Sequence, residues 1–593
     1  MNKNTTPQSM AAQVEIPVPA GVNAPGFGSD VVAETLRALD IPYVALNPGA
    51  SYRGLHDSLV NYLGNETPQM LLCLHEESAV AIAQGYAKVT GRAMGAIVHS
   101  NVGLMHATMA IFNAWCDRMP MVILGATGPV DAAKRRPWID WIHTARDQGA
   151  LVRSYVKWDD QPASPAAARE SLIRASVIAN ASPKGPVYVN LDAEMQEAKL
   201  PEPLPPIDVA RYQPRISVAP DPATVKEAAQ RLRDAKRPVI MAGRASRSVD
   251  AWNARVALTE ALNAKVLTDI KIGASFPTDH PLHVGIPSTL IPDEDGLAAL
   301  READVVLALD WVDLGGALHA AKTDAFVISA TLDHNIHNGW SMDHQALPPT
   351  DILIAADPDA VAHALVNEIG APAKPVALPA ERRAMSRPAD NDKLTVEHLG
   401  YLVREAVGTR DVALTHLPLS WNGAWWPFRH PLDYIGSDAG GGIGGGPGIS
   451  VGAALALKGT GRMPVAICGD GDYLMGVTAL WTAAHYRIPL LMVIANNRSF
   501  FNDELHQERV ARMRNRPVEN RWIGQRISDP DIDLASMAEA QGAKAFGPVH
   551  NEKDLAAALQ AAIAAVEAGE VAVIDARVEP GYAPAMTAVM RKS

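Results

Sequence analysis

The stretch MPVAICGDGDYLMGVTALWTAAHYRIPLLMVIANNRSFFNDE, residues 463–504, decides the fold. Residues 463–468 form an apolar run of strand length, GDGD at 469–472 reads as a turn, and residues 474–486 carry helical spacing. A second apolar run, 488–495, ends at Asn496-Asn497. Two strands joined by a helix make a βαβ unit, whose right-handed crossover lays the strands parallel and brings both carboxyl ends to one sheet edge. Residues 469–472 and Asn496-Asn497 are therefore expected to be neighbours.

That edge is where ligands settle in open α/β sheets. Gly469 and Gly471 let backbone N–H groups approach an anion such as a phosphate. Asp470 offers a hard carboxylate and Asn497 an amide oxygen, a donor set suited to Mg²⁺ shared with a diphosphate. Either motif alone is the ordinary composition of a turn; their pairing in one unit carries the reading.

The rest of the chain repeats the pattern. Length, 593 residues, exceeds what one hydrophobic core supports. Apolar runs at 121–125 and 187–191 alternate with amphipathic stretches such as 78–89, and the runs 237–243 and 303–310 alternate with helical spacing at 222–234 and 297–303. Pro-rich segments at 201–215 and 370–392 read as linkers. The expected organisation is an N-terminal arm (1–27), three doubly wound parallel α/β domains (28–204, 216–370 and 390–578) and a C-terminal tail (579–593).

Hydrophobic residues make up 48% and charged residues 20%, the balance of a soluble globular protein. A net charge of −12, with no basic stretch longer than 509–516, argues against a nucleic-acid partner. Three cysteines, Cys73, Cys116 and Cys468, sit in apolar surroundings without metal-ligand or redox spacing. No apolar stretch approaches the length of a membrane helix and no leader pattern opens the chain, so a soluble cytoplasmic protein is expected.

GDG, 24 residues, then NN resembles the cofactor fingerprint of thiamine-diphosphate-dependent enzymes. The resemblance implies thiamine diphosphate and Mg²⁺ as cofactors. It implies that Asp470, Asn497 and the carbonyl of Ser499 hold the metal, with the diphosphate around Gly469, Gly471 and Asp472. A second element, MLLCLHEESAVAIAQGYAKVTGR (70–92), resembles the family's strand and helix that carry the activating glutamate, here Glu76. The Gly-rich SDAGGGIGGGPGISVGAALAL (437–457) places Ile443 where the family keeps a large aliphatic residue beneath the cofactor. The three domains then correspond to pyrimidine-binding, middle and diphosphate-binding units. A homodimer or homotetramer with sites between subunits is implied as well.

Within the family, NPGAS (47–51), VHSNVGLMHATMAIFNAW (98–115) and YVKWDDQPAS (155–164) resemble the benzoylformate decarboxylase branch, placing His99 on its active-site histidine. Two departures argue against an aromatic 2-oxo acid: Ala50 replaces the branch serine, with Ser51 next, and Ala317 stands where a second histidine belongs, with His319 two residues away. Asp503 or Glu504 falls where other branches place an acid, and His416 is the polar candidate in the Trp-rich 416–431 segment. The implied activity is cleavage or formation of a carbon–carbon bond next to a carbonyl of a small-molecule substrate. Acetolactate-synthase-like transfer, 2-hydroxyacyl-CoA lysis, 1,2-diketone hydrolysis and a non-catalytic cofactor-binding homologue are the alternatives. No middle-domain motif supports FAD or ADP.

Overall fold

The computed structural model describes residues 15–21, 24–214, 216, 218–333, 347–370, 372, 376–378, 382–389 and 392–582. Most of the expected arm and tail therefore lies outside the described residues. Three sheets follow one another along the chain, and the strand pairs within them run parallel.

The first sheet has the order β2-β1-β3-β4-β6-β5. Its strands are β1 (Tyr43–Leu46), β2 (Gln69–Leu72), β3 (Met94–Ile97), β4 (Met121–Thr127), β5 (Asp159–Asp160) and β6 (Pro186–Asp192). Helix α1 (Glu76–Thr90) follows β2, and α2 (Ser100–Asp117) follows β3. The β2 strand ends at Leu72 rather than at His75. Residues 73–75 leave the sheet so that the His75 ring can cap α1, its Nδ1 accepting from Glu77 N–H at 3.1 Å.

The second sheet, β11-β10-β9-β7-β8, is built from β7 (Pro238–Ala242), β8 (Lys265–Leu267), β9 (Val305–Leu309), β10 (Phe326–Ala330) and β11 (Ile352–Ile354), with α3 (Leu314–Ala321) after β9. The third, β12-β13-β14-β16-β15, contains β12 (Val412–His416), β13 (Met463–Gly469), β14 (Leu490–Asn496), β15 (Lys544–Val549) and β16 (Val571–Arg577). Helices α4 (Gly445–Leu457), α5 (Asp470–Gly476) and α6 (Phe501–Met513) surround its carboxyl edge. The central strands β13 and β14 are buried almost throughout, as expected for parallel strands covered on both faces.

Strands β13 and β14 pair directly, Gly469 opposite Ala495, so the two strand ends are adjacent as expected. Two details differ from the sequence reading. GDGD is not a turn, because α5 starts at Asp470 immediately after the strand. The helical stretch is also broken at Val477-Thr478 into two short helices. Around the break Gly476 packs on the loop before α4, where a Cβ would lie 2.3 Å from the Gly444 carbonyl oxygen.

The first and third units meet where α1 crosses α4. Here the Gly-rich segment has a definite purpose: a Cβ on Gly85 would sit 1.9 Å from the Ile449 carbonyl oxygen, and one on Gly452 1.9 Å from that of Ile82. Backbone meets backbone, so no rotamer change can relieve an added methyl. Gly452→Ala is expected to destabilise the protein by about 3 kcal/mol, read as an earlier urea or thermal unfolding midpoint with a separation of the two units.

Arg247 ties all three units through backbone carbonyls, donating to Lys88 (3.1 Å), Pro431 (3.2 Å) and Ile435 (3.2 Å). A largely buried ionic chain adds to this, with Asp333 accepting from both Arg118 and Arg244, and Arg244 also pairing with Asp310. From the N-terminal arm, Glu15 reaches His485 and Tyr486 in the third unit. Among the described residues no helix is long and apolar enough to cross a membrane.

Candidate active site

At the end of β13, Asp470 is buried and accepts two backbone N–H bonds, from Gly471 at 2.8 Å and from Arg498. Arg498 takes a left-handed φ of 58° just after Asn497, turning the chain back toward the carboxylate. Asn497 Oδ1 accepts from Ser499 N–H at 2.8 Å. Asp470, Asn497 and Ser499 thus lie in one hydrogen-bonded corner between adjacent strand ends. Burial pushes the Asp470 carboxyl up to about 6 against the opposing pull of these N–H groups. Among the described residues no cationic side chain pairs with it. A buried negative charge beside hard oxygen donors, with no counter-charge, suits an oxygen-seeking divalent cation.

Asp472 has a different task. One oxygen accepts from Gly444 N–H (2.6 Å) and Gly446 N–H (3.2 Å), fixing the start of α4; the other lies 3.1 Å from His416 Nε2. Burial alone would raise the Asp472 carboxyl, but the His416 ring and these N–H groups hold it below the usual range. For His416 burial opposes protonation, and the neighbouring carboxylate outweighs it, holding the ring's pKa above the ordinary value.

These groups face a cavity of about 700 Å³ whose wall includes His416, Asp438, Ile443, Asp470, Asn497 and Asp503. Ile443 projects from the loop before α4 with 44% of its surface exposed. The structure separates Asp503 from Glu504. Asp503 is exposed at the cavity wall, whereas Glu504 is buried, accepts from Ser499 Oγ at 2.6 Å and pairs with Arg521 and Arg526.

The second group of candidates lies in the first unit. Glu76 opens α1 and is 6% exposed, its Oε2 lying 3.1 Å from His106 Nδ1. Its Oε1 packs against Gly103, where a Cβ would lie 2.8 Å away, so the glycine makes room for the carboxylate. His99 Nδ1 lies 2.8 Å from Ser51 Oγ, which also accepts from Ser100 N–H. The hydroxyl absent at Ala50 is thus supplied next door. The His143 ring packs edge-on against His99 at 4.6 Å. Burial and His143 lower the His99 pKa, favouring a neutral imidazole.

Among the described residues lining the Asp470 cavity, Glu76 and His99 do not occur. Leu74 and Met105 in the first unit and Met475 in the third are among the exposed large apolar side chains.

Other candidates resolve plainly. Ala317 is buried in the middle core, and His319 points outward from α3. Trp421 and Trp425 pack edge to face at 5.2 Å within the third core, so the tryptophans are core rather than cavity wall. Sequence reasoning missed Thr289 and Tyr582, both of which line the cavity. Tyr582 stacks on Phe501 at 5.6 Å. An aromatic in a short Pro-Gly tail was its one available signal.

Comparison with known proteins places the whole arrangement. Residues 27–151 match the thiamine pyrophosphate enzyme N-terminal TPP binding domain, 225–364 the central domain and 419–576 the C-terminal TPP binding domain. The chain is 25% identical over 524 residues to benzoylformate decarboxylase of Pseudomonas aeruginosa, covering 86% of this chain and 92% of that one. It is also 25% identical over 542 residues to the acetolactate synthase large subunit of Lactococcus lactis, covering 88% of each. The structure of a thiamine diphosphate-dependent 4-hydroxybenzoylformate decarboxylase from Rhodococcus jostii RHA1 shares the fold, with a TM-score of 0.76 at 24% identity over 94% of this chain and 99% of that one. Three matched domains in the order of the three sheets, together with these relatives, show that the chain belongs to the thiamine pyrophosphate enzyme family and is an enzyme of its decarboxylase and acetolactate synthase group.

Proposed function

We propose that this enzyme is a Mg²⁺-dependent carbon–carbon lyase acting on a 2-oxo acid or a related carbonyl compound, with carboligation as its reverse activity. One observation carries the reading: the uncompensated Asp470 carboxylate shares a corner with Asn497 and Ser499 on the wall of the cavity. Asp470, Asn497 and the Ser499 carbonyl would hold Mg²⁺, Gly469, Gly471 and Asp472 would hold the diphosphate, and Ile443 would support the cofactor rings. Thiamine diphosphate, when bound, supplies a nucleophilic carbon that adds to a carbonyl and accepts the electron pair of the bond that breaks.

The side chains supply position and protons. Glu76 would hydrogen-bond the pyrimidine through Oε1, the oxygen that His106 does not engage. Gly103→Ala would put a methyl 2.8 Å from Oε1 and displace the carboxylate, and is expected to lower kcat roughly 100-fold, read at saturating cofactor. His99, kept neutral and oriented by Ser51, is suited to accept or return a proton at the substrate. Asp503 at the cavity wall is the second acid. Because Glu76 does not line its own chain's cavity, the working unit is at least a dimer in which one chain's Glu76 serves its partner's cavity. Three free cysteines fit a reducing cytoplasmic setting.

Acyl transfer to a second carbonyl is the other reading. It is favoured by the departure at Ala317 and by an acetolactate synthase relative as similar as the decarboxylase one. A screen of 2-oxo acids, 2-hydroxyacyl thioesters, acyloins and 1,2-diketones with thiamine diphosphate and Mg²⁺, scored by product mass, separates the two. Release of CO₂ and an aldehyde from a single 2-oxo acid is the expected result. A product joining two substrates, with no free aldehyde, would favour transfer.

A further inference from the structure

Glu76 has one side-chain hydrogen-bond partner among the described residues, and it is neither Ser51 nor His99. It is His106, thirty residues along the chain on α2, at 3.1 Å. With Oε2 as the acceptor, His106 donates from Nδ1. The ring is held from the other side as well. His75 stacks on it at 5.1 Å with an interplanar angle of 21°, and His75 is itself anchored because its Nδ1 accepts from Glu77 N–H. Two consecutive residues at the start of α1, His75 and Glu76, thus grip one imidazole by face and by edge.

The His106 side chain is 58% exposed and that of Glu76 8%, so a largely open imidazole holds a buried carboxylate. The arrangement sorts the two carboxylate oxygens. Oε2 is committed to His106, while Oε1 packs against Gly103 and has no hydrogen-bond partner among the described residues. We infer that His106 is a positioning residue for the activation of thiamine diphosphate, fixing the Glu76 carboxylate so that Oε1 alone is presented to the pyrimidine. This rests on the role proposed for Glu76, and the test keeps the two apart.

The readout is exchange of the cofactor C2 hydrogen for deuterium in the loaded enzyme, with cofactor affinity and the thermal midpoint measured alongside. His106→Leu removes the N–H donor and is expected to slow exchange about 10- to 100-fold with cofactor affinity held. His106→Asn retains an N–H donor and should restore exchange to within a few-fold of the natural enzyme. In a Glu76→Gln background, where exchange is already slow, His106→Leu should add nothing. An unchanged rate in His106→Leu, no rescue by Asn, or an equal further loss in the Glu76→Gln background would each overturn the inference. If the leucine variant does not fold, His106→Ala with added imidazole replaces it: recovery of exchange supports the assignment and no recovery overturns it. Full exchange in Glu76→Gln alone would remove the underlying role of Glu76, whatever His106 does.

Discussion

Glu76→Gln should lower kcat by about 10²- to 10⁴-fold while leaving the cofactor dissociation constant within a few-fold of its natural value. The glutamine keeps the shape of the side chain and can still accept from His106, so the start of α1 and its contacts survive. What it lacks is an ionisable oxygen able to exchange a proton with the pyrimidine. On the proposed reading the corner at Asp470 and Asn497 sets affinity, so rate and binding should separate cleanly. Steady-state kinetics beside a fluorescence titration of thiamine diphosphate provide the check. Full activity in this variant would remove Glu76 from the mechanism.

Asp470→Ala should produce the opposite pattern, with cofactor affinity falling more than about 100-fold and turnover lost through vacancy rather than slowed chemistry. Among the proposed metal ligands the carboxylate is the charged one, and Asn497 with the Ser499 carbonyl contributes neutral oxygens. Without it the N–H groups of Gly471 and Arg498 lose their acceptor, so the turn after Asn497 loosens as well. Chelation of Mg²⁺ from the natural enzyme should release the cofactor to a similar extent, and excess Mg²⁺ should restore it only there. Normal cofactor and Mg²⁺ binding by Asp470→Ala would show that the metal lies elsewhere.

Much of this was legible in the residues, for reasons that also explain the misses. Buried parallel strands write themselves as short apolar runs, so β4, β6, β9, β13 and β14 stand near their expected places. The neighbourhood of Asp470 and Asn497 followed from crossover handedness alone. Glycine disfavours helices, so the Gly-rich 437–457 segment carries little helical signal of its own, yet its second half is α4, where those glycines admit the backbone of α1. No local pattern announces that need. Ser51, His106 and Tyr582 stayed hidden for a related reason. Each acts through a contact made in space: Ser51 on His99, His106 on Glu76, and Tyr582 on Phe501. The Trp-rich 416–431 segment fitted a core or subunit interface better than a pocket wall, and packing against Gly400 places Trp421 inside.

The central claim is that each working site joins the metal corner of one chain to the carboxylate of another, and mixing two dead variants tests it most directly. Glu76→Gln and Asp470→Ala chains, each inactive alone, would be unfolded together, refolded and assayed. If the site spans two chains, a mixed dimer carries one doubly damaged site and one intact site, and a random mixture should recover about a quarter of natural activity. If both residues served the same chain's cavity, every site would carry one lesion, and the mixture would stay as inactive as its components.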